Sequence, residues 1–214
     1  MQLVVVDYGV GNLRSIAKSL EKSNYENNLG HRVQVSSNLK EIKKADKLVL
    51  PGQGSFKACK EGIENIKGLE DELNESVLIK KKPIFGICAG MQLFATIGYE
   101  EVKTLGLNWI PGEVIKLDSS KSKLKVPHMG WNELELNNAC HPVLDGLGDR
   151  PHVYFVHSYY FSCDSPVDVL ATVDYGGPIS AVVGRDNMVG TQFHPEKSQH
   201  AGLKLISNFL KWKP

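Results

Sequence analysis

The sequence predicts an α/β fold: a mostly parallel, open sheet with helices on both faces, and antiparallel strands added in the C-terminal half. Two observations carry this. In the first half, short apolar runs alternate with amphipathic helical patterns, the arrangement that wraps helices around a parallel sheet. From about Asn108 to Gln192 the pattern changes to many short strands separated by turn residues, which places hairpins on one edge of that sheet.

Each element follows from its own pattern. Leu3 to Val6 is apolar without alternation and stops at Asp7-Tyr8-Gly9, as a strand covered on both faces would. Leu13, Ile16, Ala17 and Leu20 recur at helical spacing behind Asn12, a suitable N-cap. A loop-like stretch, Asn24 to Gly30, precedes a strand at Val33 to Val35. Lys47 to Leu50 is a third strand, halted by Pro51-Gly52, and helical patterns follow at Phe56 to Ile66 and Leu69 to Lys80. Pro83 to Ile87 is a fourth strand, which runs into Cys88 and a helix from Met91 to Ile97. Later strands are expected at Glu113 to Leu117, Val153 to Phe161, Val169 to Val173, Ile179 to Val183 and Met188 to Phe193. Turns at Gly176-Gly177-Pro178 and Arg185-Asp186-Asn187 separate the last three, and a helix from His200 to Trp212 closes the chain.

The 214 residues fit a single domain, 1–214. Lys and Arg number 25 against 24 Asp and Glu, a balance that argues against a nucleic-acid-binding face. Lys80 to Lys82 and the lysines from Lys116 to Lys125 read as solvated charges. No apolar run is long enough for a membrane span, and the N-terminus reads as a strand rather than a signal peptide. A cytoplasmic protein with reduced thiols is expected. The four cysteines, Cys59, Cys88, Cys140 and Cys163, have no metal or disulfide spacing, and three of them read as small buried hydrophobes. No metal or cofactor motif is present: the segment Gly9-Val10-Gly11 lacks a third glycine, and no phosphate-loop pattern occurs.

Cys88 differs because of its setting. Gly86-Ile87-Cys88-Ala89-Gly90 lies between a strand and a helix, the context of a nucleophile elbow with sulfur as the nucleophile. The flanking glycines relieve crowding at the sharp turn, the helix N-terminus favours a thiolate, and the Ala89 N–H would face a developing oxyanion. Taken alone, the motif also fits a buried structural cysteine. Thr191-Gln192-Phe193-His194-Pro195-Glu196 ends the last strand, and residues two apart on an extended chain share a face. Glu196 can then orient His194, and His194 can serve Cys88 as base. Pro51-Gly52-Gln53-Gly54-Ser55-Phe56 is a glycine-rich turn after a strand, suited to supply a second oxyanion donor. Gln92 lies one turn beyond Cys88, where its amide could face a substrate. His128-Met129-Gly130-Trp131-Asn132 reads either as a turn anchored by a buried Trp or as a segment near a partner interface.

Together these residues resemble the class I, triad-type glutamine amidotransferases, which have a flavodoxin-like α/β fold. The resemblance covers nearly the whole chain. General motifs are Gly86-Ile-Cys-Ala-Gly-Met-Gln92 and Phe193-His-Pro-Glu196. Five more resemble the glutaminase subunits of a two-subunit synthase of histidine biosynthesis: Asp7-Tyr-Gly-Val-Gly-Asn-Leu13, Pro51-Gly-Gln-Gly-Ser-Phe56, Val126-Pro-His-Met-Gly-Trp-Asn132, His157-Ser-Tyr-Tyr160 and His194-Pro-Glu-Lys-Ser-Gln199. The resemblance implies hydrolysis of L-glutamine through a Cys88 thioester, without a cofactor. It further implies transfer of the ammonia to a (β/α)8-barrel cyclase subunit. It makes Cys88, His194 and Glu196 catalytic, Ala89 and Gln53 the backbone oxyanion donors, and Gly52, Gly54, Gln92, His157, Ser158 and Tyr159 the glutamine site. Ala89 and Gln53 stand where many members carry Leu and an apolar residue. A stand-alone γ-glutamyl hydrolase and an inactive regulatory module are the competing readings; the five specific motifs and the intact triad argue against them.

Overall fold

Alternate residues of the first strand face opposite cores. Leu3 and Val5 pack with Val49, Phe85 and Ile87 on one side, while Val4 and Val6 pack with Leu48, Leu50 and Ile84 on the other. This two-sided burial explains the unbroken apolar runs of the parallel strands. The computed structural model describes residues 1–118, 124–137 and 140–214. Its strands are β1 (Gln2–Val6), β2 (Arg32–Ser36), β3 (Lys47–Leu50), β4 (Ile84–Ile87), β5 (Ile97–Gly98), β6 (Thr104–Leu105), β7 (Gly112–Lys116), β8 (His128–Glu133), β9 (Glu135–Leu136), β10 (His152–His157), β11 (Tyr159–Cys163), β12 (Val169–Asp174), β13 (Pro178–Arg185) and β14 (Met188–Thr191). The helices are α1 (Leu13–Glu26), α2 (Leu39–Lys44), α3 (Phe56–Glu64), α4 (Leu69–Asn74), α5 (Ala89–Gln92) and α6 (Gln199–Lys211).

The main sheet has the order β2-β1-β3-β4-β14-β13-β12-β9. Its first five strands are parallel, and β13, β12 and β9 continue it antiparallel. Helices α1 and α6 supply Ile16, Leu20, Leu205 and Phe209 to one core, and α2, α3 and α4 supply Ile42, Phe56, Ile63 and Leu73 to the other. The predicted fold class therefore stands. Two smaller sheets, β10-β8 and β11-β7-β5-β6, flank the main one.

Several elements differ from the sequence reading. Helix α1 continues to Glu26 through part of the expected loop. The helix expected over Met91 to Ile97 is a single turn at Ala89–Gln92, because the carbonyls of Leu93, Phe94 and Ala95 accept N–H groups from Leu107 to Ile110 instead of prolonging it. The run Val153 to Phe161 is two strands that break at Ser158 and join different sheets. The last strand ends at Thr191, not Phe193. The segment around Trp131 is strand β8 rather than a turn, and Trp131 is half exposed, since it stands on the outer face of a two-stranded sheet. Cys140 is exposed and Cys163 half-buried, so only Cys59 fits the buried-hydrophobe reading; all four thiols are free. Lys82 is half-buried and donates to the Lys43 carbonyl at the end of α2. The lysines at 121 and 123 lie outside the described residues. Among the described residues no helix is long and apolar enough to cross a membrane.

Candidate active site

Cys88 sits where β4 turns into α5, with φ 55° and ψ −117°. For a residue with a Cβ this is a strained conformation, the kind retained when the surroundings over-determine it. The surroundings here are close. A Cβ on Gly90 would lie 2.0 Å from the Leu50 carbonyl oxygen, and one on Gly86 would lie 2.8 Å from the Met91 Cα. The Cys88 N–H donates to the Thr191 carbonyl at 2.7 Å, continuing the pairing of β4 with β14. The expected elbow and its glycine requirement are both present.

That pairing also delivers the second motif. Three residues after β14 ends, the His194 N–H donates to the Tyr154 carbonyl, which anchors His194 to β10. Pro195 then opens a 3-10 turn, so Glu196 lies in a turn and not on an extended strand as expected. The two side chains still meet: His194 Nδ1 lies 2.9 Å from Glu196 Oε1. With Nδ1 so engaged, the ring's other nitrogen serves the hydrogen bond to the Cys88 thiol. Burial works to lower the His194 pKa, but the hydrogen bonds to Cys88 and Glu196 overcome it and raise the ring to about 10. Glu196 Oε2 is buried with no partner among the described residues, so the carboxylate charge leans on the imidazole.

A pocket of about 200 Å³ opens over Cys88, lined among others by Gln53, Gly54, Ala89, Gln92, Glu100 and His194. His157, Ser158 and Tyr159, at the break between β10 and β11, form the facing wall. Of the predicted residues Gly52 and Glu196 stand outside the lining: a Cβ on Gly52 would lie 2.0 Å from the Gly90 nitrogen, and Glu196 reaches the pocket only through His194. The Asp7 to Leu13 segment backs this loop: Tyr8 Oη donates to the Pro51 carbonyl, and a Cβ on Gly11 would meet the Pro51 ring at 3.0 Å.

Gln92 is buried, not solvated. Its Nε2 donates to the Tyr159 carbonyl at 3.0 Å and to Gln192 Oε1 at 2.9 Å, which leaves Oε1 to accept from a ligand. Gln192 in turn points Nε2 at Cys88 Sγ, 3.8 Å away. The sequence reading did not single out Gln192, although it stands inside the motif that ends at Glu196. It also passed over Glu100, which donates no motif signal; its carboxylate accepts the Phe56 N–H at 2.6 Å, and burial raises its pKa. Lys197 completes the lining with a positive charge. No group of three or more metal-ligating side chains occurs among the described residues.

A family model for the class-I glutamine amidotransferases matches residues 4–212, and the chain belongs to that family. Among curated relatives, the imidazole glycerol phosphate synthase subunit HisH of Rhodopseudomonas palustris is 51% identical over 217 residues, covering all of both chains. The subunit of the same name from Ruegeria pomeroyi is 50% identical over 214 residues, again at full coverage. Solved structures agree in fold. A crystal structure of a glutamine amidotransferase superposes with a TM-score of 0.71 at 20% identity, covering 97% of each chain. The acivicin-bound glutaminase domain of Trypanosoma brucei CTPS gives 0.67 at 14% identity, covering 100% of this chain and 95% of that one.

Proposed function

We propose that this chain, acting as one amidotransferase domain over residues 1–214, is the glutaminase subunit of an imidazole glycerol phosphate synthase. It hydrolyses L-glutamine and passes the ammonia to a (β/α)8-barrel cyclase subunit in the cytoplasm. The observation that carries the chemistry is the hydrogen-bonded line from Cys88 through His194 to Glu196 at a strained elbow. The full-length identity of about half with HisH subunits supports the particular synthase.

The steps follow from the geometry. Cys88 Sγ, its proton passed to His194, attacks the side-chain amide carbon of glutamine, forming a C–S bond and an oxyanion. In this reading the backbone N–H groups of Ala89 and Gln53 hold that oxygen, which is supported by both residues lining the pocket, one at the start of α5 and the other in the loop after β3. Protonated His194 gives its proton to the amide nitrogen, the C–N bond breaks and ammonia leaves. His194 then takes a proton from water as it attacks the thioester. The C–S bond breaks, and glutamate departs with the thiol restored. Gly52, Gly54, Gln92, His157, Ser158 and Tyr159 form the glutamine site. Glu100 and Lys197 offer the opposite charges that match the zwitterionic end of the substrate.

Strand β8 supports a partner beside this site. Met129 and Trp131 face solvent from it, and it pairs with β10, whose end forms the pocket wall. The test is glutamate release by the chain alone and with the cyclase subunit carrying its nucleotide ligand. Stimulation by the partner, and loss of at least about a thousandfold in Cys88→Ala with the fold retained, are expected. Equal turnover with and without the cyclase would favour a stand-alone hydrolase, and an active Cys88→Ala protein would remove the triad.

A further inference from the structure

His128 and His157 face each other across the β8–β10 pair and are both buried. His128 Nδ1 lies 3.0 Å from His157 Nε2, and His157 Nδ1 lies 2.9 Å from the Tyr159 carbonyl oxygen. A carbonyl only accepts, so His157 carries its proton on Nδ1 and offers a bare Nε2. His128 must then carry its own proton on Nδ1. The other end of the chain demands the same. Asn132 Oδ1 accepts the Glu133 N–H at 2.8 Å, which fixes that amide with Nδ2 facing His128 Nε2 at 3.4 Å. Asn132 donates there, so His128 Nε2 is bare. Two independent anchors thus impose one pair of tautomers and one direction. The His128 ring cannot readily turn out of line, because it is stacked between Phe155 at 4.6 Å and Tyr175 at 3.9 Å. Burial lowers both rings to about 4, so neither is charged at neutral pH.

We infer that His128 is a positioning residue for glutamine: with Asn132 and His157 it forms a one-way hydrogen-bond chain that fixes the Tyr159 carbonyl, and with it the Ser158–Tyr159 wall of the pocket. The inference rests on the reading of that pocket as the glutamine site. The Tyr159 carbonyl also accepts from Gln92, whose second N–H leads through Gln192 to the Cys88 sulfur. It is the junction between strand β8, which bears the exposed Trp131, and the nucleophile. Movement of β8 on docking would be felt at the pocket wall through this junction rather than through the triad.

Two measurements test this on the chain with its cyclase. Nitrogen NMR of histidine-labelled protein should show both rings neutral at pH 7, each protonated on Nδ1; an Nε2-protonated or charged ring at either position overturns the chain. In glutamine kinetics, His128→Phe keeps the stacking ring but removes both nitrogens, and should raise KM about tenfold while kcat changes far less. His128→Asn places an amide nitrogen near the lost Nδ1 and should recover most of that KM. An unchanged KM in His128→Phe, or equal impairment of the two variants, defeats the positioning role. If His128→Phe does not fold, the wild-type nitrogen shifts and the KM of His128→Asn decide. Failure of the wild-type complex to turn over glutamine would instead remove the glutaminase reading, with the nitrogen shifts still deciding the chain.

Discussion

His194 keeps its proton because two groups face it from opposite ends of the ring, Glu196 at 2.9 Å and the Cys88 thiol. Such a proton has a consequence for stability. An unfolded histidine titrates near 6.5, whereas this one is raised to about 10 despite the burial that opposes it. For a base whose folded pKa is raised, the stabilisation is complete below the unfolded value and disappears as pH rises through the folded one. Glu196→Gln removes one of the groups that hold the proton. The gap in melting temperature between wild type and Glu196→Gln should therefore be widest near pH 6, where a carboxylate and the imidazole are both charged, and should narrow steadily toward pH 10. Thermal melts of both proteins across that range measure it. A gap that stays constant or widens with pH would mean that His194 is neutral in the resting protein.

At the scale of elements, the least expected feature is a lysine. Lys47 opens β3, is 1% exposed, and donates to the carbonyls of Phe209, Leu210 and Trp212 at 2.7, 2.8 and 2.5 Å. It serves carbonyls at and just beyond the C-terminal end of α6, of which Phe209's also accepts the Trp212 N–H at 3.2 Å, and burial lowers its pKa to about 8. Lys47→Met keeps the length and apolar stem but takes this donor from the Leu210 and Trp212 carbonyls, while Phe209's keeps the Trp212 N–H. We expect a net loss of about 2 kcal/mol, or a fall of about 4–8 °C in melting temperature. An unchanged or higher melting temperature would show that desolvating the charge costs more than the capping returns. The same scale explains what could be read in advance. The parallel half was legible because strands covered on both faces leave unbroken apolar runs. The proposed triad was legible because Cys88 and the His194–Glu196 pair each sit in a local motif. Helix α5 was misjudged because its end is decided by the segment from Leu107 to Ile110. The break at Ser158 was missed because a β pattern runs through residues that join two sheets. Gln192 and the paired role of His128 and His157 depend on contacts 100 and 29 residues apart along the chain, which only register reveals.

Viewed as a whole, the molecule has a formal net charge of +1, so long-range electrostatic steering toward a partner is weak. Affinity for the proposed cyclase must then come mainly from apolar contact. Strand β8 presents that contact beside the pocket, with Met129 62% and Trp131 47% exposed. Trp131 stands edge-on to the Tyr154 ring at 5.9 Å, and Lys197, which lines the pocket, lies 5.9 Å from that same ring. A large aromatic that is held by a neighbouring ring yet half exposed is the kind of side chain that dominates an interface once its exposed part is covered. Trp131→Ala should weaken binding to the cyclase by about 2 kcal/mol, roughly thirtyfold in Kd. Because steering is weak and the lost contact is a packed one, the change should fall on the dissociation rate, with association altered by no more than about threefold. Half of the side chain is already in water, so the variant should melt within about 2 °C of wild type, and weaker binding cannot then be ascribed to unfolding. Calorimetric titration with kinetic binding traces separates these terms. A Kd within twofold of wild type would move the interface off β8, and a loss confined to the association rate would point to steering by charges that the overall balance conceals.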